Sequence, residues 1–184
     1  MGQLIVHNDI AANGVFESPS HEDWLVLDTD SSDAGLEQLI LADAMVLGRK
    51  TYEGLAAVWP HLTEDPALGR FAGRINAMPK YVASRTLTEP LEWNATLIKG
   101  ELDQAVAELK NAHSGRLIVS GAGELAHALA RQGLVDEFWL RVHPMLWATG
   151  PRIFDGVGPI RLQLVAATPY RSGVVWLRYR PATG

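Results

Sequence analysis

The sequence predicts an α/β fold: a mixed sheet of about eight strands, mostly parallel, closed by an antiparallel C-terminal hairpin, with helices on both faces. Three observations lead there. Short apolar runs alternate with helix-period stripes along the 184 residues. Strand–helix–strand order forces parallel pairing, because only a crossover brings the next strand back in the same direction. The last two apolar runs, near 161–169 and 173–180, are separated only by a turn around Arg171-Ser172-Gly173, so they pair antiparallel. No repeat or low-complexity linker divides the chain, and its length suits a single domain spanning 1–184.

Each element has its own signal. Residues 3–8 form a buried strand, and Ala11 to Asp23, rich in Asn, Gly, Ser, Pro and acid, is a long loop. Leu36, Leu39 and Ile40 have helical spacing behind Ser31-Ser32-Asp33, where Asp33 is a ready N-cap. Ala44-Met45-Val46-Leu47 is a strand closed by Gly48, residues 50–58 are helical up to Pro60, and the stretch Leu55–Asn76 reads largely as loop. Lys80 to Ser84 and Thr96 to Ile98 are strands. Leu102, Ala105, Val106 and Leu109 give an i, i+3, i+4, i+7 stripe. Arg116 to Ser120 is a buried strand leading through Gly121-Ala122-Gly123 into a helix that Gly133 caps. Phe138 to His143 is the strand before the hairpin.

Composition removes several classes of function. There is no cysteine, so disulfide scaffolds, iron–sulfur sites and thiol nucleophiles are excluded. The net charge of -5, without a basic run, argues against nucleic acid. The N-terminus lacks a secretory signal pattern, and no apolar run approaches the roughly 18 residues of a membrane helix. A soluble cytoplasmic protein is expected. None of the six histidines is spaced as a metal pair, so no metal is expected, and no G-x-S-x-G elbow appears.

In a parallel sheet, ligands sit beyond the carboxyl ends of the strands. Two such ends stand out. Gly48-Arg49-Lys50-Thr51-Tyr52-Glu53 opens a helix with an Arg and a Thr hydroxyl, a combination suited to phosphate. Ser120-Gly121-Ala122-Gly123-Glu124-Leu125-Ala126 also runs from strand to helix and fits G-x-G-x-x-[GA]. It is not a dinucleotide fingerprint of the Rossmann type, which opens its domain and needs an acid at the end of the next strand; here Asp136 and Glu137 stand at the start of that strand. A third end, Ser84-Arg85-Thr86, adds a cation suited to a 2′-phosphate, and so to NADPH over NADH.

Gly48-Arg49-x-Thr51-Tyr52-Glu53, Pro79-Lys80-Tyr81-Val82-x-Ser84-Arg85-Thr86-Leu87, Ser120-Gly121-x-Gly123, Val135-Asp136-Glu137 and Gly150-Pro151-Arg152-x-Phe154 occur in this order over nearly the whole chain. The pattern resembles the dihydrofolate-reductase-like family that includes the reductase domain of the bifunctional riboflavin-biosynthesis deaminase-reductase. It is most similar to stand-alone members without a deaminase domain. The resemblance implies a dihydrofolate-reductase-like fold, NADPH as cofactor, a pterin- or riboflavin-precursor-like substrate, and a homodimer. Gly48, Arg49 and Thr51 would meet the cofactor's phosphates and adenosine end; Ser84, Arg85 and Thr86 the 2′-phosphate; Gly121, Ala122, Gly123 and Glu124 the pyrophosphate. The nicotinamide would lie by Asn13-Gly14-Val15. Family members usually carry Asp-Gly there, so an amide replaces a carboxylate and cannot exchange a proton. Dihydrofolate reductases also carry an acid on the first helix, to which Asp33 is the nearest match. The riboflavin-pathway substrate bears a ribose phosphate, yet the sequence shows no second phosphate site.

Candidate residues for the substrate cleft are His7, Val15, Trp24, Asp33 and Tyr52, with Trp59 flanking it. Trp139 and Trp176 alternate with Leu and Arg on strands, and one face of them is a candidate dimer surface. The rival expectation is a non-catalytic binding module that keeps the fold and the nucleotide, motivated by Asn13 and the missing helix acid.

Overall fold

The computed structural model describes residues 1–17 and 29–182. Its strands are β1 (Gln3–Ala11), β2 (Ala44–Gly48), β3 (Lys80–Ala83), β4 (Ala95–Leu97), β5 (Arg116–Ser120), β6 (Glu137–His143), β7 (Leu162–Pro169) and β8 (Val175–Pro181). Its helices are α1 (Thr29–Ile40), α2 (Arg49–Val58), α3 (Gly69–Ala77), α4 (Leu102–Ala112) and α5 (Glu124–Arg131), with a 3-10 turn at Trp59–His61.

The strands form one sheet in the order β4-β3-β2-β5-β1-β6-β8-β7. β4 through β6 are all parallel, and β8 is antiparallel to both β6 and β7. The parallel strands alternate between two buried faces. Leu4, Val6, Val46, Leu117 and Val119 pack with Val106 of α4 and Leu129 of α5. Ile5, Met45, Leu47 and Ile118 pack on the other side with Tyr52 of α2, Phe71 and Ile75 of α3, and the partly buried Leu36 and Leu39 of α1. Burial on both faces is why these strands read as continuous apolar runs.

Two sequence expectations are corrected. α3 occupies part of the stretch read as loop, and its buried Phe71, Ala72 and Ile75 form a single stripe. Its C-terminal end is held by the buried Lys80, whose ammonium donates to the carbonyls of Ile75 and Asn76 and lies over the Trp93 ring. Trp139 and Trp176, offered as a dimer face, are core: they are 1% and 7% exposed and meet edge to face. The Gly133 cap holds. Gly133 adopts φ +68° and Leu134 N–H donates to the carbonyl of Leu129, the bonding of a Schellman motif.

Candidate active site

The carboxyl ends of β3, β2 and β5 lie side by side, with β1 running on past them to Ala11, because Gly48 pairs with Ala83, and Ser120 pairs with both Leu47 and His7. Helices α2 and α5 start directly from two adjacent ends. Neither start has a side-chain cap: Gly48 and Gly123 occupy the N-cap positions with extended backbone. The first-turn N–H groups of both helices are thus left without a side-chain acceptor, which suits an anion. The two starts nearly touch. Gly121 has φ +91°, and a Cβ there would sit 2.8 Å from Thr51 Oγ1. A Cβ at Gly123 would meet nothing within 4 Å, so the absence of a side chain leaves a shallow open cradle above α5. Ala122 is buried beneath it, while Glu124 is exposed in the first turn. Arg49 is exposed and shares a loose ion pair with Glu53 at 3.4 Å. Beyond β3, Ser84 Oγ accepts from the N–H groups of Thr86 and Leu87, a tight turn that leaves Arg85 and Thr86 exposed.

A second feature lies beside β1, on the α1 side of the sheet. A cavity of about 220 Å³ is lined by His7, Ser32, Gly35, Leu36, Leu39, Trp59, Leu68 and Arg141. His7 stands between Trp139 and Trp176, with ring centroids 6.5 and 6.0 Å away. Its Nε2 is buried and has no partner among the described residues. Burial pushes its pKa down to about 4; the Asp9 charge opposes this and Arg141 adds to it. His7 is therefore neutral at physiological pH.

Under the cavity lies a polar network that the sequence did not announce. Arg141 grips Asp9 with two parallel bonds, Nε to Oδ1 at 2.6 Å and Nη2 to Oδ2 at 2.8 Å. His143 Nε2 meets Asp9 Oδ1 at 2.9 Å, and against an ionised carboxylate this nitrogen is the donor. Burial by itself would raise the Asp9 pKa, but the bonds from His143 and Arg141, with the Arg141 charge, outweigh it and hold the carboxyl well below the usual range. The third arm of Arg141, Nη1, donates to the Ser31 carbonyl at 3.0 Å and so ties α1 to the sheet. Gly35 makes room for it, since a Cβ there would come within 2.9 Å of Nη1. The parallel register places Asp9 opposite Arg141. The available signal was a pair of opposite charges inside two strands that also carry large apolar residues.

Other cleft expectations are corrected. Tyr52 is core: its hydroxyl donates to the Glu92 carbonyl at 3.1 Å and its ring packs near Trp93. Asp33 neither caps α1, which begins at Thr29, nor lines the cavity; it is exposed and paired with Arg70 of α3 at 3.3 Å. Val15 is buried against Ala11 and Trp147, outside the cavity wall. The Asn13 amide clasps the Trp147 backbone, donating to its carbonyl at 2.7 Å and accepting from its N–H at 3.3 Å, beside Gly14 at φ +85°. Its side chain is committed to joining two loops. Trp24 lies outside the described residues. Among the described residues no cluster of His, Asp and Glu could hold a metal, and no helix is long and apolar enough to cross a membrane.

Comparison with known proteins places this geometry. An uncharacterized protein of Bacillus subtilis strain 168, YyaP, is 28% identical over 180 residues, covering 96% of this chain and 94% of its own. A solved structure from Shewanella sp. PV-4, named as a candidate riboflavin biosynthesis protein, superposes with a TM-score of 0.77 at 22% identity, covering 98% of this chain and 99% of its own. A dihydrofolate reductase from Enterococcus faecalis, solved with NADP(H), has the same fold at a TM-score of 0.66 and 14% identity, covering 98% of this chain and 97% of its own. Residues 4–176 match the family model of the RibD C-terminal domain. The chain belongs to that family and has the dihydrofolate-reductase fold.

Proposed function

We propose that this chain is an NADPH-dependent reductase, with the cofactor along the ends of β3, β2 and β5 and a small heterocycle in the cavity beside β1. The observation that carries this is the meeting of two helix starts without side-chain caps at adjacent strand ends. The residues fit the cofactor: the open cradle at Gly123 is a place a Cβ would fill, and the N–H groups around it suit a pyrophosphate. Gly48, Arg49, Thr51, Gly121, Ala122 and Gly123 would hold the phosphates, and Ser84, Arg85 and Thr86 the 2′-phosphate. When bound, NADPH supplies a hydride. The protein's own part is to orient the ring against the sheet end and exclude water. His7, neutral above about pH 4, offers a hydrogen bond to a substrate rather than a proton. A homodimer fits the same reading, with the exposed Leu164 and Val165 of β7 as an available apolar edge.

The test is NADPH titration of the wild type and Gly123→Val. The backbone at Gly123 suits any residue and its surroundings are open, so the variant should stay folded, at a cost of about 1 kcal/mol for a β-branched residue at the N-cap, while losing NADPH affinity at least tenfold. Unchanged affinity would remove the cradle from the cofactor site. One observation favours the rival, a binding module without turnover: no carboxylic acid lines the cavity among the described residues. NADPH binding with no loss of the 340 nm band across a panel of pterin, flavin-precursor and quinone substrates would establish it.

A further inference from the structure

The cavity beside β1 has a chemical character that limits what it can take. Its only cation among the described lining residues is Arg141. Its charge is already matched by the Asp9 carboxylate, which takes two of its bonds, and a third goes to the Ser31 carbonyl. The remaining walls are the apolar Leu36, Leu39, Trp59 and Leu68, with the hydroxyl of Ser32 and the neutral imidazole of His7. The cations assigned to the cofactor stand at other strand ends: Arg49, paired with Glu53, follows β2, two strand spacings from β1, or about 10 Å across the sheet. Arg85 follows β3, three strand spacings from β1, or about 14 Å across the sheet. At about 220 Å³ the cavity is also below the usual span for drug-sized ligands, which starts near 300 Å³.

We propose that this cavity binds an uncharged planar heterocycle of one or two rings bearing no phosphate, with Arg141 acting as a positioning residue that sets α1 over the ring. Desolvating a phosphate here, with no uncompensated cation among the described lining residues to receive it, is prohibitive, whereas an uncharged ring exchanges water for Leu and Trp surfaces and for polar partners at Ser32 and His7. The inference deepens the reductase reading by naming its substrate class, and it separates this chain from the phosphoribosylated substrate expected from the riboflavin pathway.

The experiment follows the tryptophan indole signals of the ¹⁵N-labelled whole chain, without NADPH, during titration with lumazine, uridine and uridine 5′-monophosphate. Expected are a shift of the Trp59 indole by lumazine and an affinity for the monophosphate no greater than for uridine. Ser32→Lys, which adds a free cation at the rim, should then favour the monophosphate over uridine about tenfold. A wild type that binds the monophosphate tenfold more tightly than uridine overturns the proposal. So does a Trp59 signal that lumazine leaves in place, or a Ser32→Lys variant with unaltered preference. NADPH is titrated separately: lumazine binding without NADPH binding would sink the reductase reading and leave this one standing.

Discussion

Gly121 offers the sharpest test of how the two helix starts are fitted together. In Gly121→Ala, the added methyl meets two obstacles. The backbone is at φ +91°, a region costing an L-residue about 1–2 kcal/mol. The new Cβ would also lie 2.8 Å from Thr51 Oγ1 and 3.7 Å from its Cγ2, an overlap in the range of about 1–3 kcal/mol. Together these predict a loss of about 2–5 kcal/mol, or a melting temperature lower by about ten degrees for a domain of this size. The contributions separate in a double-mutant cycle. Thr51→Ala removes both the hydroxyl and the methyl, leaving Thr51 Cβ at an ordinary 3.8 Å. In that background Gly121→Ala should cost only the backbone part, about 1–2 kcal/mol, so the cycle should show a coupling of at least about 1 kcal/mol. Urea unfolding of the four proteins measures it. Additive costs would refute the contact, and a Gly121→Ala protein as stable as wild type would refute both parts.

Three further outcomes are expected. Asp9→Asn strands the Arg141 charge and should cost about 3 kcal/mol at neutral pH, the lower end for a broken buried pair because the Asp9 side chain keeps 28% exposure. Because the folded-state pKa of Asp9 is depressed, its stabilisation is present above the unfolded value of about 3.9 and fades as pH falls below it, so urea midpoints of this variant should drop less steeply in acid. His7 is also depressed, to about 4, so the unfolded state takes up its proton first and stability declines as pH falls from about 6.5 to 4; His7→Leu should remove that share of the decline, read as the wild-type minus variant difference. Arg85→Ala should narrow the preference for NADPH over NADH about tenfold, the worth of one charge-assisted contact of about 1.5 kcal/mol, and an unchanged ratio of dissociation constants would free Arg85 of that role.

The parallel core was legible because Leu4–Val6 of β1, Ala44–Leu47 of β2 and Leu117–Val119 of β5 are buried on both faces and so write themselves as short apolar runs. The helix starts at Gly48 and Gly123 were legible because glycine at a strand end is a local signal. α3 was obscured by its own Gly69, Gly73 and three polar residues, which masked the Phe71–Ile75 spacing. Asp33 misled because serine and acid before a stripe look like a cap, whereas the helix begins earlier and turns Asp33 toward Arg70. The Asp9–Arg141–His143 network could not be read from neighbours in sequence, since 132 and 134 residues separate the partners. Only the register of β1 against β6, a tertiary property, sets Asp9 opposite Arg141.

The bond from Arg141 to Ser31 also has an entropic consequence. It fastens the helical wall of the cavity to the sheet that forms its floor. A ligand entering therefore need not immobilise α1 at its own expense; that ordering is completed when the chain folds, and more of the contact energy is left for affinity. Loosening the tie by Asp9→Asn would transfer the ordering cost to the binding step. The cavity would then be expected to discriminate less sharply between rings of similar shape, even where every group that touches the ring is unchanged.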